Sequence, residues 1–521
     1  MEGLNDFKGT IVKRSEKEFF KHAYQYASSS SAPGEMEPAF IAYPSSENAD
    51  NDVLALVRYA KEKKISIAVR TGGHQYSGAS STSGDNLQLN LSKCYRDFDF
   101  NKEIDVITMG VSYPLKEFNN TLCSIGRFIP HGQCTHVHIG GHAQTGGYGL
   151  LGRSFGLFAD YILKIRIITA DEKIREIERD DEEGIFWAFI GGSPGNLGIL
   201  THVTVKTMKD SDHPHSRGLK LFYHYNEHHT QNVIKILMEM AADPDFDEDY
   251  DVFIIMFSET ILKRTFLRPF AKLKTLDEKM RKQHHDYYGT SERAFWPRAI
   301  AVQAMWANTK GPGQVYDPKF FHRLKAAAHH NVKSFRPEDH VDGEMPISHL
   351  MREFLFPNVR EFETPYVKRC YFPKQVPDER FPEWVTRRIR EGHAAGYKMA
   401  LQIQPFGGKK GKFYLNGLEN KTALSWRDST FLVCLDTFGL DVTQMQKFQE
   451  ETDKELIGSE GALLGNEDRR LIWGSHDKDL PANHQYYYES KEMYDRLCEI
   501  KKKIDPDNVF TPNRFCVGVP E

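Results

Sequence analysis

No stretch of about 18 consecutive apolar residues occurs in this chain of 521 residues, so the sequence predicts no helix that crosses a membrane. The N-terminal residues Met1 to Lys8 hold no apolar segment of the kind a secretory signal needs. That points to an intracellular, cytoplasmic protein, or to a secreted one whose leader has been removed. Cysteine is scarce. Seven residues, an odd number, exclude a disulfide framework and leave at least one thiol free or otherwise engaged. An excess of one charge is missing too. The chain has 68 Lys and Arg against 72 Asp and Glu, a net charge of -4, so neither a nucleic acid nor a membrane surface is expected as partner. No Gly-x4-Gly-Lys-Ser/Thr motif is present, which excludes a P-loop. His213, His215, His224, His228 and His229 lack the i, i+4 pairing beside a carboxylate that marks a zinc helix. They read as a solvated linker, and no metal is expected.

What is present is an ordinary globular composition, 40% hydrophobic and 27% charged, in a chain long enough for two or more domains. The densest feature near the N-terminus is Val69-Arg70-Thr71-Gly72-Gly73-His74-Gln75-Tyr76-Ser77-Gly78. A helix-like stretch, Asp52 to Lys63, and a strand-like run, Ile65 to Val69, lead into it. Adjacent glycines let backbone approach a ligand, and successive N–H groups in such a loop form a nest for phosphate oxygens. The loop does not open a helix. It runs on to Leu87–Leu91, which alternates like a strand. This is a strand–loop–strand nucleotide site, and a nicotinamide-binding Rossmann turn is excluded.

A second dense stretch runs from Pro130 to Gly149. It places five glycines in the ten residues from Gly140, with Cys134 just before them. Such density suits backbone packed against a flat ligand or another chain segment. A third glycine-rich turn, Gly191 to Gly198, leads into the strand-like His202 to Thr207. After about residue 208 the glycine turns stop. Strand-like runs at Val252–Ser258, Ala299–Ala307, Lys398–Phe406 and Thr430–Phe438 alternate with helix-like stretches. Those stretches are Thr230–Ala242, Leu273–Gln283, Pro318–Ala328, Phe381–His393 and Val442–Leu456. The pattern predicts an α+β domain in which helices cover one antiparallel sheet.

Together these motifs resemble the flavin-linked oxidases of the vanillyl-alcohol-oxidase (PCMH-type) superfamily, and most closely the berberine-bridge-enzyme-like branch. The resemblance rests on Arg70-Thr71-Gly72-Gly73-His74, on Gly132-Gln133-Cys134 and on Gly140-Gly141-His142. It rests further on Gly146-Gly147-Tyr148-Gly149, on Gly156-Leu157-x-x-Asp160 and on Gly195-Asn196-x-Gly198-Ile199-x-Thr201. The tail, Asp505-Pro506-x-Asn508-x-Phe510-x-x-Asn513, also matches. The resemblance implies a PCMH-type FAD-binding domain of two α+β subdomains over residues 1–207. It implies a substrate domain over 208–460, and a C-terminal segment, 461–521, returning to the first domain. It implies FAD held covalently twice, through His74 and Cys134. Arg70, Thr71, Gly72, Gly73, Gln75, Tyr76, Ser77, Val137, Gly140, Gly141, His142, Gly146, Gly147, Tyr148, Gly195, Asn196, Gly198, Ile199, Tyr488 and Asn513 are then expected to bind the cofactor. Val137 aligns with the position that governs oxygen entry, and its small side chain suits an oxidase.

The catalytic base departs from the pattern. Ser475 stands at the family's tyrosine position, and His138 replaces a usual glycine. His476 is one candidate, because an imidazole titrates near neutrality. The family's alternative carboxylate aligns near Val433. The nearest acid, Asp436, is the other candidate, although a regular pleat would put it on the opposite face of the strand from Val433. The expected reaction is oxidation of a hydroxyl-bearing carbohydrate or natural product, with O2 as acceptor and hydrogen peroxide as product. An oxidative cyclase, or a flavin-bound protein guiding a non-redox closure, is the alternative. A monomer or a dimer is expected.

Overall fold

A computed structural model describes residues 3–23, 25, 30–257, 299–327, 341–356, 365–470 and 477–518. Three main sheets organise them. The first has the strand order Thr10–Lys13, Phe40–Tyr43, Leu87–Asn90, Ile67–Arg70. Its first pair is antiparallel, and the rest run parallel. Helix Ala49–Lys63 covers it with Val53, Leu56, Val57 and Ala60, all fully buried. Residues 71–86 join two parallel neighbours without an intervening helix, as the alternating Leu87–Leu91 pattern predicts.

The second sheet is antiparallel throughout. Its order is Phe98–Asn101, Val106–Gly110, Ile199–Lys206, Ile162–Ile168, Ile174–Glu178. The third is a seven-stranded antiparallel sheet. Its order is Val341–Glu344, Arg217–His224, Ala299–Trp306, Tyr250–Phe257, Lys398–Pro405, Phe431–Phe438, Tyr366–Tyr371. Helices Glu227–Ala242, Lys319–Ala326, Phe381–Ala394 and Val442–Leu456 cover one face of it. They bury Leu237, Phe321, Trp384 and Leu456 against Val252, Ile254, Leu401 and Val433. The other face carries Phe253, Ile255, Leu432 and Cys434 toward the first two sheets.

Three strands of this sheet, Arg217–His224, Val341–Glu344 and Tyr366–Tyr371, are not evident in the sequence. The last contains the charged residues Lys368 and Arg369. Both are buried, because the fold supplies each with a carboxylate: Asp436 for Lys368, Asp453 and Asp477 for Arg369. The histidine stretch is not a simple solvated linker either. His213 sits edge-on between Phe128 and Phe155, with ring centroids 5.4 and 5.1 Å away. The helix expected at Leu273–Gln283 lies outside the described residues.

The C-terminal segment closes on the first sheet. The Asn513 amide donates to the carbonyls of Ala79 (2.8 Å) and Ser81 (2.7 Å), and the Ile67 N–H donates to Val509 (2.7 Å). The Lys501–Asp505 pair, fully buried, anchors helix Lys491–Ile504 against Phe510. Among the described residues no helix is long and apolar enough to cross a membrane.

Candidate active site

The three glycine-rich turns meet on one side of a single cavity, and the seven-stranded sheet closes the other. Strand Ile67–Arg70 delivers the first turn. The Arg70 side chain does not enter the cavity. Its guanidinium turns back, donates to the carbonyls of Ala23 (3.0 Å) and Ser80 (3.3 Å), and pins the loop from behind. Burial pulls its pKa down to about 10.

Close packing explains two of the glycines. A Cβ at Gly72 would lie 2.7 Å from the His138 ring and 3.0 Å from the His136 carbonyl. One at Gly140 would lie 2.8 Å from Thr71. The first and second turns therefore touch at backbone distance. Gln144 ties the second turn to the third: its side chain donates to Gly140 (2.9 Å) and accepts from the Gly195 N–H (3.1 Å).

Of the residues expected at a cofactor, Thr71, Gly72, Gly73, His74, Gln75, Tyr76, Cys134, Val137, Gly140, Gly141, His142, Gly147, Tyr148 and Gly195 line this cavity. Arg70, Ser77, Gly146, Asn196, Gly198, Ile199, Tyr488 and Asn513 stand behind it. The Ser77 carbonyl accepts from Ser31 (2.7 Å), and Gly146 packs on Leu424. Asn196 clasps the tail through the Val517 N–H (2.6 Å). Gly198 sits against the Ile168 carbonyl, and Ile199 opens a strand. The Tyr488 hydroxyl donates to Gly192 (2.9 Å). These residues hold the turns in place instead of lining the cavity.

The roof is a grid fixed by strand register. Gln402, Cys434 and Cys370 form one cross-strand row, and Ala400, Asp436 and Lys368 form the next. All lie on the cavity side of the sheet. The pleat does separate Asp436 from Val433, but the assignment is the reverse of the one expected. Val433 turns away into the helix-covered core, and Asp436 faces the cavity. The Asp436 carboxylate is fully buried. It pairs with the Lys368 ammonium at 3.2 Å and accepts from the Gln402 amide at 3.1 Å. The Lys368 ammonium lies 5.2 Å above the Tyr76 ring, and Tyr76 and Tyr366 stand 4.8 Å apart, so the floor loop touches the roof here. His476 and Ser475 lie outside the described residues.

Burial sets the charge state of the floor. It pushes His142 down to about 3, with His131 adding to the shift, and His138 down to about 4, with Arg96 adding to it. Both imidazoles are neutral at pH 7. The Tyr148 phenol is pushed far up, mainly by burial and further by Tyr76, Cys134 and Asp436, and stays protonated. Among the described residues, Lys368 is the lone Lys or Arg lining the cavity.

Sequence reasoning missed Lys368, Gln402 and the Cys370–Cys434 disulfide, whose Cα atoms are 4.2 Å apart. The remaining five cysteines stand outside that bridge. A cation inside the β-branched and aromatic run Tyr366–Tyr371 was the available signal. Among the described residues no cluster of three or more His, Cys, Asp or Glu is placed to hold a metal.

The cavity suits FAD on three counts. A Cβ at Gly141 would project into open space, so the wall there is bare backbone. The buried Nδ1 of His138 and Oε1 of Gln75 line the cavity without a protein hydrogen-bond partner. Imidazole and thiol nucleophiles, His74 and Cys134, face the same space.

Comparison with known proteins agrees. A family model described as an FAD binding domain matches residues 38–178, and one described as berberine and berberine like matches residues 474–514. An FAD-linked oxidoreductase (ZEB1) of Gibberella zeae is 26% identical over 225 residues, 38% of this chain and 39% of that protein. Monolignol oxidoreductase AtBBE-like 13 of Arabidopsis thaliana is 34% identical over 178 residues, 33% of each chain. These matches thus span well under half of the curated relatives' length. Solved structures extend the likeness in fold to nearly the full chain. Physcomitrella patens BBE-like 1 superposes with a TM-score of 0.73 at 16% identity, over 99% of this chain and 98% of that one. A xylooligosaccharide oxidase from Myceliophthora thermophila gives 0.73 at 17%, over 100% and 99%. An FAD-binding family model thus matches near one end of the chain, a berberine-like model matches at the other, and the fold between them is the one seen in BBE-like 1 and the xylooligosaccharide oxidase.

Proposed function

We propose that this protein is an FAD-dependent oxidase whose flavin is bound twice, to His74 and to Cys134. Its substrate is a hydroxyl-bearing small molecule, a carbohydrate or a natural product. The observation that carries this reading is the meeting of His74, Cys134 and Asp436 in one cavity from positions 74, 134 and 436 of the chain. Held by His74 and Cys134, the flavin would supply a hydride acceptor for the carbon bearing the hydroxyl and a route for the electrons to O2, giving hydrogen peroxide.

The chain's own residues supply the acid–base chemistry. Asp436 takes the proton of the substrate hydroxyl, and the Gln402 amide fixes the carboxylate's orientation. Proton transfer neutralises Asp436 and leaves the Lys368 ammonium uncompensated in a buried site. That charge would favour negative charge on a reduced cofactor in the cavity. Tyr148, held protonated, lines the same cavity and offers it a hydrogen-bond donor. Neutral His138 and His142 add no competing positive charge on the floor. Val137 lines the cavity with a small side chain, which suits access by O2.

The test is intact mass and visible absorption of denatured protein, for the native chain, His74→Ala, Cys134→Ala and the double variant. An FAD-sized mass increment and retained colour are expected in the native chain and in each single variant, with both lost in the double. Flavin released from the native chain on denaturation overturns the two-bond attachment.

A further inference from the structure

The bridge Cys370–Cys434 has no part in the reaction above, yet it lies in the roof of the same cavity. The two residues are directly opposed on adjacent antiparallel strands, and Cys370 lines the cavity wall. The neighbouring row on the same face is Lys368 and Asp436, two residues along each strand, about 7 Å away. A cysteine pair therefore stands beside a cation that favours thiolate and a carboxylate that can take a proton, facing the proposed flavin site.

We infer that Cys370 and Cys434 form a redox pair that, when reduced, gives its electrons to the bound flavin, so that low-molecular-weight dithiols are a second class of reductant for this protein. The inference rests on the flavin reading above. The incoming dithiol attacks the Cys370–Cys434 bond from the cavity. One protein S–S bond breaks, two protein S–H groups form, and the small molecule leaves as its own disulfide. The protein pair then loses two protons and two electrons and the S–S bond closes again. The electrons reduce the flavin, and O2 takes up two electrons and two protons to give hydrogen peroxide. The net change is oxidation of one dithiol by one O2. Burial limits the route: Cys434 is 0% and Cys370 3% exposed, so the cavity is the path by which a small thiol reaches the sulfur.

The experiment uses the full flavin-loaded chain, dithiothreitol without oxygen, and two readouts. The first is bleaching of the oxidised-flavin absorption, in the native chain and in the Cys370→Ser/Cys434→Ser double variant. The second is alkylation of cysteines, mapped by peptide mass, before and after air is admitted. The expected result is bleaching at least tenfold faster in the native chain. On aeration the pair should return to the disulfide as the colour returns, while buried Cys94 and Cys516 remain alkylatable thiols once the chain is denatured. Equal bleaching rates overturn the inference. So does a pair that stays reduced after the flavin has reoxidised, which needs no variant to fold. A chain with no flavin absorption at all overturns the oxidase reading itself, and this inference with it.

Discussion

The floor of the cavity is made of backbone, and the roof is made of side chains. On the floor, three turns from residues 71–78, 132–149 and 194–195 touch one another so closely that Gly72 and Gly140 have no room for a Cβ. On the roof, strands set the positions. Alternate residues of four strands, Ile255, Gln402, Cys434, Asp436, Lys368 and Cys370, point down at positions set by register. In the proposed function the floor is the part that would hold the flavin. The roof can vary one side chain at a time without moving the backbone, which is why the proposed function puts the proton acceptor there.

The sharpest way to break this division is at Asp436. Asp436→Asn should lower kcat/KM by about 10²–10⁴-fold, the usual contribution of a positioned base, with the flavin mass increment unchanged. A loss below tenfold would move the base elsewhere, and the histidine at position 476 is then the first residue to replace.

Next in size is the joint between floor and roof. Asp251, on roof strand Tyr250–Phe257, accepts from the Arg153 N–H (2.8 Å) and the Ser154 hydroxyl of the floor-side loop. Burial raises its pKa to about 7, against lowering by Ser154 and Arg153. The folded protein thus holds a proton that the unfolded chain releases near pH 4. The contribution of this group to stability should be greatest below that value, fall as pH rises from about 4 to about 7, and level off above it, by up to about 4 kcal/mol. Asp251→Asn should flatten the slope, as read from urea midpoints across that window. An unchanged slope would mean the carboxyl is already ionised in the fold.

A smaller effect is expected on the floor. Gly140→Ala drives a methyl to within 2.8 Å of Thr71 and should cost about 1–3 kcal/mol. Flavin incorporation should fall while the roof is untouched. Normal incorporation would show that the turns can part. Smallest is Val137→Ile, which should slow reoxidation by O2 a few-fold and leave substrate reduction of the flavin unchanged in anaerobic stopped flow. Equal slowing of both steps would remove Val137 from oxygen access.

The two regions differ in how much of them could be read beforehand. His74, Cys134 and the glycines around them are contiguous in sequence, and a loop that must approach a ligand shows itself as local glycine density. The strands of the roof also announce themselves, since Lys398–Phe406 and Thr430–Phe438 carry buried β-branched and aromatic residues. Their direction does not. Both faces of this sheet are apolar, so the alternation that would separate inside from outside is weak. Asp436 could be placed on the opposite face from Val433 but not on the cavity side. Lys368 was not identified, because its partner lies 68 positions away in the chain. Arg70, Asn196, Tyr488 and Asn513 share the motifs yet serve the loops from behind, because sequence adjacency does not say which way a side chain turns.

The amino-acid sequence alone determined the glycine-rich turns, the place of His74 and Cys134 within them and the α+β character, because each is written in local residue type and spacing. Only the tertiary structure decided which carboxylate faces the cavity, which lysine neutralises it and which two of seven cysteines meet. Those facts depend on the register of strands drawn from residues 250–438. Register is fixed by packing across the whole sheet, and not by any one segment of the chain.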